Sequence, residues 1–244
     1  SVDSLQRIVN RATAADALHQ AGQRTEAGDY FRTAERLLAE RKTGYNQLFS
    51  LSGFRFCDWL LAPVERAVWR VVWGYTPPGA EQGEHAAACD EVDRRGTTTL
   101  RWATDARLSG IDIGLDHLTL ARVGLYRAIL AGQLVQPLLD LPHVATALVT
   151  LRSTNDFFLL PLGLLTATLY HFVRGDHNRA RAYLAETQLI AERGPMPLYL
   201  ADVHLHRARM FRDKTELKKA TKLIRDLGYG RRYEELDDAE KALA

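Results

Sequence analysis

The sequence predicts an all-α protein built as a superhelical array of antiparallel helix pairs. Segments of helical length carry apolar residues three and four positions apart, and glycines and prolines fall at a few breaks between them. No segment shows the strict alternation of apolar and polar residues that is typical of a strand. A chain of 244 residues that is 46% hydrophobic and 25% charged has an ordinary globular composition, which excludes wholesale disorder.

The pattern predicts about twelve helices in one domain that covers residues 1–244. Most of them are joined by short loops, as expected for helices that lie antiparallel to their neighbours in sequence. The predicted helices cover 3–22, 25–41, 45–62, 63–73, 84–108, 111–131, 142–152, 156–174, 178–193, 198–211, 215–227 and 231–243.

Glycines and prolines set the helix ends in the first half. Gly22 and Gly44 each end a helix, and Pro63 is expected to begin a new one because proline is tolerated in a first turn. The prolines and glycines of residues 74–83 mark the clearest irregular loop.

In the second half of the chain, prolines and a capping residue mark the starts of the predicted helices. Pro137 or Pro142 is expected at the entry to one helix, and Asp156 or its neighbour Asn155 is expected to cap the next. The run 157–173 is almost entirely apolar, which is typical of a central helix covered on all sides. Its proline and histidine argue against a membrane span, and we expect none.

Two helix–turn–helix units share one spacing. Each has a glycine at the turn, a small residue five positions later and a larger apolar residue four beyond that. The residues are Gly22, Ala27 and Phe31 in the first unit, and Gly175, Ala180 and Leu184 in the second.

This spacing resembles the tetratricopeptide repeat (TPR), which has a glycine, a small alanine and an aromatic residue at these offsets. The turn 175–177 also resembles the family's Gly-Asp-Tyr turn, and residues 28–30 match it letter for letter in another register. The resemblance implies a TPR-like solenoid whose concave face binds protein segments. The stretches 198–209 and 225–232 resemble the C-terminal TPR regions of bacterial signalling NTPases of the NACHT/STAND kind.

Polar stripes on two otherwise apolar helices are the first candidate binding residues. Arg55 and Asp58 lie on one helix, where they are close enough to pair with each other, and Asp202, His206 and Arg209 follow one face of another. Such a stripe is typical of a solvated row of ion pairs or of the lining of a groove. We expect these five residues to line the partner-binding groove and to matter little for folding.

Three aromatic residues before the loop 74–83 are the second candidate surface. Trp69 and Trp73 share a helix face, and Tyr75 follows them. Tryptophans next to a loop are either core residues or binding anchors.

Motifs of catalysis are missing from the sequence. It has no phosphate-binding glycine loop, no nucleophile elbow and no zinc-protease motif. Asp202 and His206 would supply only two metal ligands, so we expect neither a metal nor a cofactor. The basic stretch 207–232 is followed by acidic residues and has no interleaved aromatic residues, which favours ion pairing between helices over nucleic-acid binding.

These observations predict a non-enzymatic module that binds a protein or peptide, or acts as a sensor, within a larger bacterial signalling protein. The alternative is a regulatory module that recognises a small ligand or nucleic acid. The sequence has only two cysteines and shows no signal segment, which favours a cytoplasmic location for the protein. Because the chain begins with Ser1, we expect it to be part of a longer polypeptide whose other domains are partners.

Overall fold

The computed structural model describes residues 2–80, 82–133 and 141–244, and every regular element in these ranges is helical. The all-α prediction is therefore confirmed for the described part of the chain, which has eleven α-helices and one 3₁₀ turn, Gly230–Arg232. The predicted helix entry at Pro137 lies outside the described residues. The α-helices are α1 (Val2–Gln20), α2 (Arg24–Glu40), α3 (Ser50–Val72), α4 (Gln82–Asp105), α5 (Gly110–Leu130), α6 (Pro142–Ser153), α7 (Leu160–Val173), α8 (His177–Arg193), α9 (Pro197–Phe211), α10 (Lys214–Asp226) and α11 (Tyr233–Leu243).

Most helices pack on the next helix in sequence. The most extensive contacts join α1 with α2, α4 with α5, α5 with α6, α7 with α8 and α9 with α10. Helix α3 departs from this order because it packs mainly on α5. The largest apolar core runs from α3 to α9, and smaller cores lie between α1, α2 and α3 and between α9, α10 and α11.

The two predicted helix–turn–helix units have the same turn. Gly22 has φ +82° and Gly175 has φ +81°, a conformation that side chains disfavour. In the first turn the Gln23 amide donates to the Leu18 carbonyl, and in the second the Asp176 amide donates to the His171 carbonyl, each at 2.9 Å. This is the bond of a Schellman helix end, so the prediction of two equivalent glycine turns is confirmed.

The small and large positions of these units are also confirmed. Ala27, Phe31, Ala180 and Leu184 are all fully buried. An alanine in each pair allows the helices to approach, and the larger residue one turn later fills the space beside it.

The helix break expected at Pro63 is wrong, because α3 continues through it. Proline has no N–H, so the carbonyl of Trp59, one turn earlier, loses its helical partner. Arg24 replaces that partner: its Nη1 donates to the Trp59 carbonyl at 2.7 Å, and the Trp59 indole donates back to the Arg24 carbonyl at 2.9 Å. The proline therefore marks where the start of α2 is bonded to α3.

Helix α7 is the covered central helix that the apolar run predicts. All of its residues from Leu160 to Tyr170 are buried except Leu162, which is partly exposed. Among the described helices, none combines the length and the apolar character that crossing a membrane requires.

The last part of the chain returns to the first. The 3₁₀ turn packs against α1, and a Cβ placed on Gly22 would lie 2.9 Å from the backbone carbon of Gly230. We call residues 229–235 the C-terminal strap. In an open array each repeat contacts only its neighbours, whereas here the strap brings the last helices to the first turn.

Candidate functional site

The two predicted polar stripes meet, but inside the protein. Asp58 is 6% exposed, Asp202 4%, His206 5% and Arg209 2%, so these four residues are buried and do not form a solvated row of ion pairs. Arg55 is partly exposed, and its Nε lies 3.0 Å from Asp16 Oδ2. The pairing of Arg55 with Asp58 that the sequence suggested is replaced by partners from other helices.

Four carboxylates and four guanidinium groups form what we call the charge cluster. They come from α3, α5, α9, α11 and the C-terminal strap, and all are buried or nearly so. The members are Asp58, Glu65, Arg122, Asp202, Arg209, Arg231, Arg232 and Glu235. Their formal charges sum to zero.

The α3 side of the cluster holds its two carboxylates between arginines. Asp58 accepts from Arg122 Nη1 at 2.7 Å and from Arg231, and Glu65 accepts from Arg231 Nη2 and Arg232 Nη1, each at 3.0 Å. Burial alone would raise the pKa of both carboxyl groups. The adjacent guanidinium groups outweigh it and hold both pKa values well below their usual range.

The α9 side is connected through Arg232. Its Nε donates to Asp202 Oδ1 at 2.7 Å, and its Nη1 donates to Glu235 Oε1 at 2.5 Å. Glu235 also accepts from Arg209 Nη2 at 2.5 Å, and Asp202 accepts from the Tyr229 hydroxyl at 3.1 Å. The strap is therefore bonded to α3 and α9 at once.

His206 and Trp69 form the uncharged edge of the cluster. His206 Nδ1 donates to the Asp202 carbonyl at 2.8 Å, which leaves Nε2 as an acceptor. The two rings meet edge to face at 5.1 Å, and the Arg209 guanidinium lies 4.8 Å from the Trp69 ring centre. Burial, assisted by Arg209, lowers the pKa of His206 to about 4, so the ring is neutral at pH 7.

The three aromatic residues predicted as a second surface have different environments. Trp69 is buried at the cluster. The Trp73 indole donates to the Arg209 carbonyl at 2.9 Å, which bonds the end of α3 to α9. Tyr75 is 48% exposed and meets Trp73 edge to face. These residues are mainly structural contacts between α3 and α9, with Tyr75 the exposed member.

A cavity of about 390 Å³ lies beside the charge cluster. One end is lined by cluster residues, with Trp69 and His206 next to them. Much of the remaining lining is apolar and includes Leu162, Leu165 and Leu169 of α7. Arg55, Asp58, Asp202 and His206 all line this cavity, so four of the five predicted groove residues converge on it.

Exposed aromatic residues lie at the rim of this cavity. Phe157 is 60% exposed and Phe158 66%. Leu159, the next residue, lines the cavity, and so does Tyr199, whose hydroxyl donates to the Phe158 carbonyl at 2.9 Å.

A second cavity of about 460 Å³ lies on the other side of the strap. Its arginines include Arg66, which is bonded to Asp238 and Glu234. Its lining contains no leucine, isoleucine or phenylalanine of the described residues, and its apolar members include Ala62, Pro63 and Ala67.

The basic stretch 207–232 is largely paired with acidic groups, as the sequence predicts. Lys222 pairs with Asp226, and Arg225 Nη2 lies 3.2 Å from Glu240 Oε1. Arg231 and Arg232 belong to the charge cluster. These pairs neutralise much of the positive charge that a nucleic-acid surface would need.

Metal ligands do not gather in the described ranges. No group of three or more histidine, cysteine or acidic side chains is arranged there to hold an ion. The Nδ1 atom of His206, the most suggestive ligand in the sequence, is bonded to a backbone carbonyl.

Comparison with family models, curated proteins and solved structures finds no match to this chain. Its own residues therefore carry the functional argument.

Sequence reasoning missed five members of the cluster: Glu65, Arg122, Arg231, Arg232 and Glu235. A signal existed for two of them. Glu65 lies seven residues, or two helical turns, after Asp58 and so shares its helix face, and Arg122 interrupts a run of apolar residues in α5. A charge on a buried face requires a partner, so both residues indicated an internal ion pair.

Proposed function

We propose that this protein is a non-enzymatic recognition module that binds a short segment of a partner protein in the cavity beside the charge cluster. The observation that carries the proposal is the convergence of the α3 and α9 stripes on one cavity with an apolar wall on α7. A preformed concave site of this size, mostly apolar with a few placed polar groups, is typical of ligand recognition.

The rim favours a polypeptide as the ligand. Phe157 and Phe158 offer exposed aromatic surface next to Leu159 and Tyr199, which line the cavity. Exposed apolar patches next to a pocket are typical of protein interfaces, where buried aromatic anchors contribute most of the binding energy. A ligand confined to the cavity would leave this surface uncovered.

We also propose that the helices form a degenerate TPR-like array within a larger, bacterial signalling protein of the NACHT/STAND kind. The two equivalent glycine turns and the antiparallel neighbouring helices support the array. Recognition of a protein segment on the inner face is the activity that the resemblance implies, and other domains of the same polypeptide are candidate partners.

A peptide selection tests the proposed function. A phage-displayed library is selected on the wild-type protein, and the enriched peptides are measured against Leu162→Trp, which fills the cavity, and Val149→Trp, a control on the exposed face of α6. We expect peptides that bind the wild type and the control equally and bind Leu162→Trp at least about tenfold more weakly. Peptides that bind all three proteins equally, or no enrichment, would contradict the proposal.

A small uncharged ligand is the second candidate. The cavity volume of about 390 Å³ lies within the range that small-molecule pockets occupy. This candidate predicts no enriched peptides, together with stabilisation of the wild type but not of Leu162→Trp by an apolar compound. Nucleic acid is disfavoured because the basic stretch is paired.

A further inference from the structure

We infer that the cavity selects an uncharged, apolar peptide segment and recognises one of its peptide groups through Trp69 and His206. This inference rests on the proposed function and names its ligand.

Charge balance in the cavity lining excludes a charged ligand group. The lining has four acidic residues, Asp16, Asp58, Glu65 and Asp202, and four basic ones, Arg55, Arg122, Arg231 and Arg232. Each acidic group already has an arginine partner. A ligand charge would remain unpaired or would break one of these pairs, and a buried unpaired charge is costly.

The apolar part of the cavity lining also disfavours a charged ligand group. Leu162, Leu165 and Leu169 of α7 line the cavity together with Leu51 and Phe54 of α3. Apolar side chains of a ligand would be removed from water there. A charged side chain packed against these residues would lose its hydration without gaining a charged partner.

Two polar groups at the uncharged edge match a peptide group. The Trp69 indole N–H is buried and has no acceptor among the described residues. His206 Nε2 is an acceptor, because Nδ1 carries the proton that bonds the Asp202 carbonyl. The rings meet edge to face with centres 5.1 Å apart, and both residues line the cavity.

A peptide group supplies their complements, a carbonyl oxygen for Trp69 and an N–H for His206. A buried donor without a partner is destabilising. A ligand carbonyl that accepts from such a donor therefore contributes more to the binding free energy than a carbonyl that only takes the place of a bound water. Arg231 Nε is a further buried donor without an acceptor in the described part of the chain.

Three capped tripeptides test this inference. Acetyl-Leu-Phe-Leu-amide is compared with acetyl-Leu-Asp-Leu-amide and acetyl-Leu-Lys-Leu-amide, and each is titrated into ¹⁵N-labelled protein. The readout is the indole N–H signal of Trp69, assigned from the spectrum of Trp69→Phe. The indoles of Trp59 and Trp73 donate to backbone carbonyls and are internal controls.

We expect the neutral peptide to move the Trp69 signal downfield, to leave the two controls in place, and to bind at least about tenfold more tightly than either charged peptide. Equal or tighter binding of a charged peptide would overturn the inference, as would binding of the neutral peptide without a change at Trp69. Failure of all three peptides to bind would also overturn it.

The two proposals fail differently. If the library yields charged peptides that depend on Leu162, the cavity binds protein segments and only the inferred ligand chemistry is wrong. If the library yields no peptide and the neutral tripeptide does not bind, both proposals are wrong.

Discussion

The α1–α2 and α7–α8 turns have the same local structure and different surroundings. Gly22 and Gly175 have nearly identical φ values, and each precedes a buried alanine and a buried large residue. A Cβ on Gly175 would meet nothing within 4 Å, whereas a Cβ on Gly22 would meet the backbone of Gly230. One turn is free, and the other is covered by the C-terminal strap.

This difference separates what local sequence determines from what the whole chain determines. The glycine and the small residue five positions later produce the turn in both units. The strap reaches only the first turn, and its arginines complete the charge cluster beneath it. Comparing matched variants in the two units therefore measures the contribution of the strap.

The largest expected effect comes from removing the strap's central ion pairs. Arg232→Gln leaves Glu65, Asp202 and Glu235 short of a buried cation and should lower the free energy of unfolding by about 3–5 kcal/mol. The control Arg225→Gln removes an exposed pair with Glu240 and should cost less than about 1 kcal/mol. Urea denaturation measures both. Equal losses of unfolding free energy in the two variants would show that the cluster contributes no more to stability than a surface ion pair.

The next effect distinguishes the two glycines directly. Gly22→Ala and Gly175→Ala both impose a positive φ on alanine, at a cost of about 1 kcal/mol each. Gly22→Ala also forces a methyl group against Gly230, which should add about 1–3 kcal/mol. Equal melting temperatures for the two variants would mean that the strap does not press on the first turn in solution.

Acid should weaken the cluster through His206. Its pKa is about 4 in the folded protein and near 6.5 when unfolded, so only the unfolded chain binds this proton between those values. Stability should therefore fall as the pH drops from 6.5 to 4, by up to about 3 kcal/mol from this group.

His206→Gln isolates this contribution. His19, His117 and His171 also have pKa values lowered by burial, so the wild type contains several such groups. The difference between wild type and variant in denaturation midpoint should shrink on acidification across this window. A constant difference would indicate that His206 titrates normally.

The last comparison should give the same loss of stability in both units. Ala27→Val and Ala180→Val each overpack a fully buried position and should cost about 1–3 kcal/mol. Similar losses in thermal unfolding would confirm that the units share their internal packing. A large difference would mean that the strap also constrains the interior of the first pair.

The sequence predicts the helices and turns well because their determinants are local. Glycine positions and apolar spacing place the helices within a few residues of their observed bounds. Pro63 shows the limit of local reasoning. Its helix persists because Arg24, distant in sequence, bonds the carbonyl that the proline leaves free.

The candidate site was predictable in part. The stripes on α3 and α9 are recognisable from a helical wheel, and both reach the same cavity. Their burial is not recognisable in this way, because the partners of Asp58 lie 64 and 173 residues away in α5 and the strap. A helix considered alone cannot distinguish a charge that faces water from one that faces an arginine on another helix.

The most direct test of the account is the distance between the first turn and the strap in solution. Spin labels at Gln23→Cys and Tyr233→Cys are both on exposed positions, and the native cysteines Cys57 and Cys89 are buried. Double electron–electron resonance should give one short, narrow distance distribution that broadens or lengthens in Arg232→Gln. An open stack of about six helix pairs, with helix axes about 8–10 Å apart, would separate its ends by roughly 40–50 Å. A long distance in the wild-type protein would contradict the closed arrangement and the cavity that depends on it.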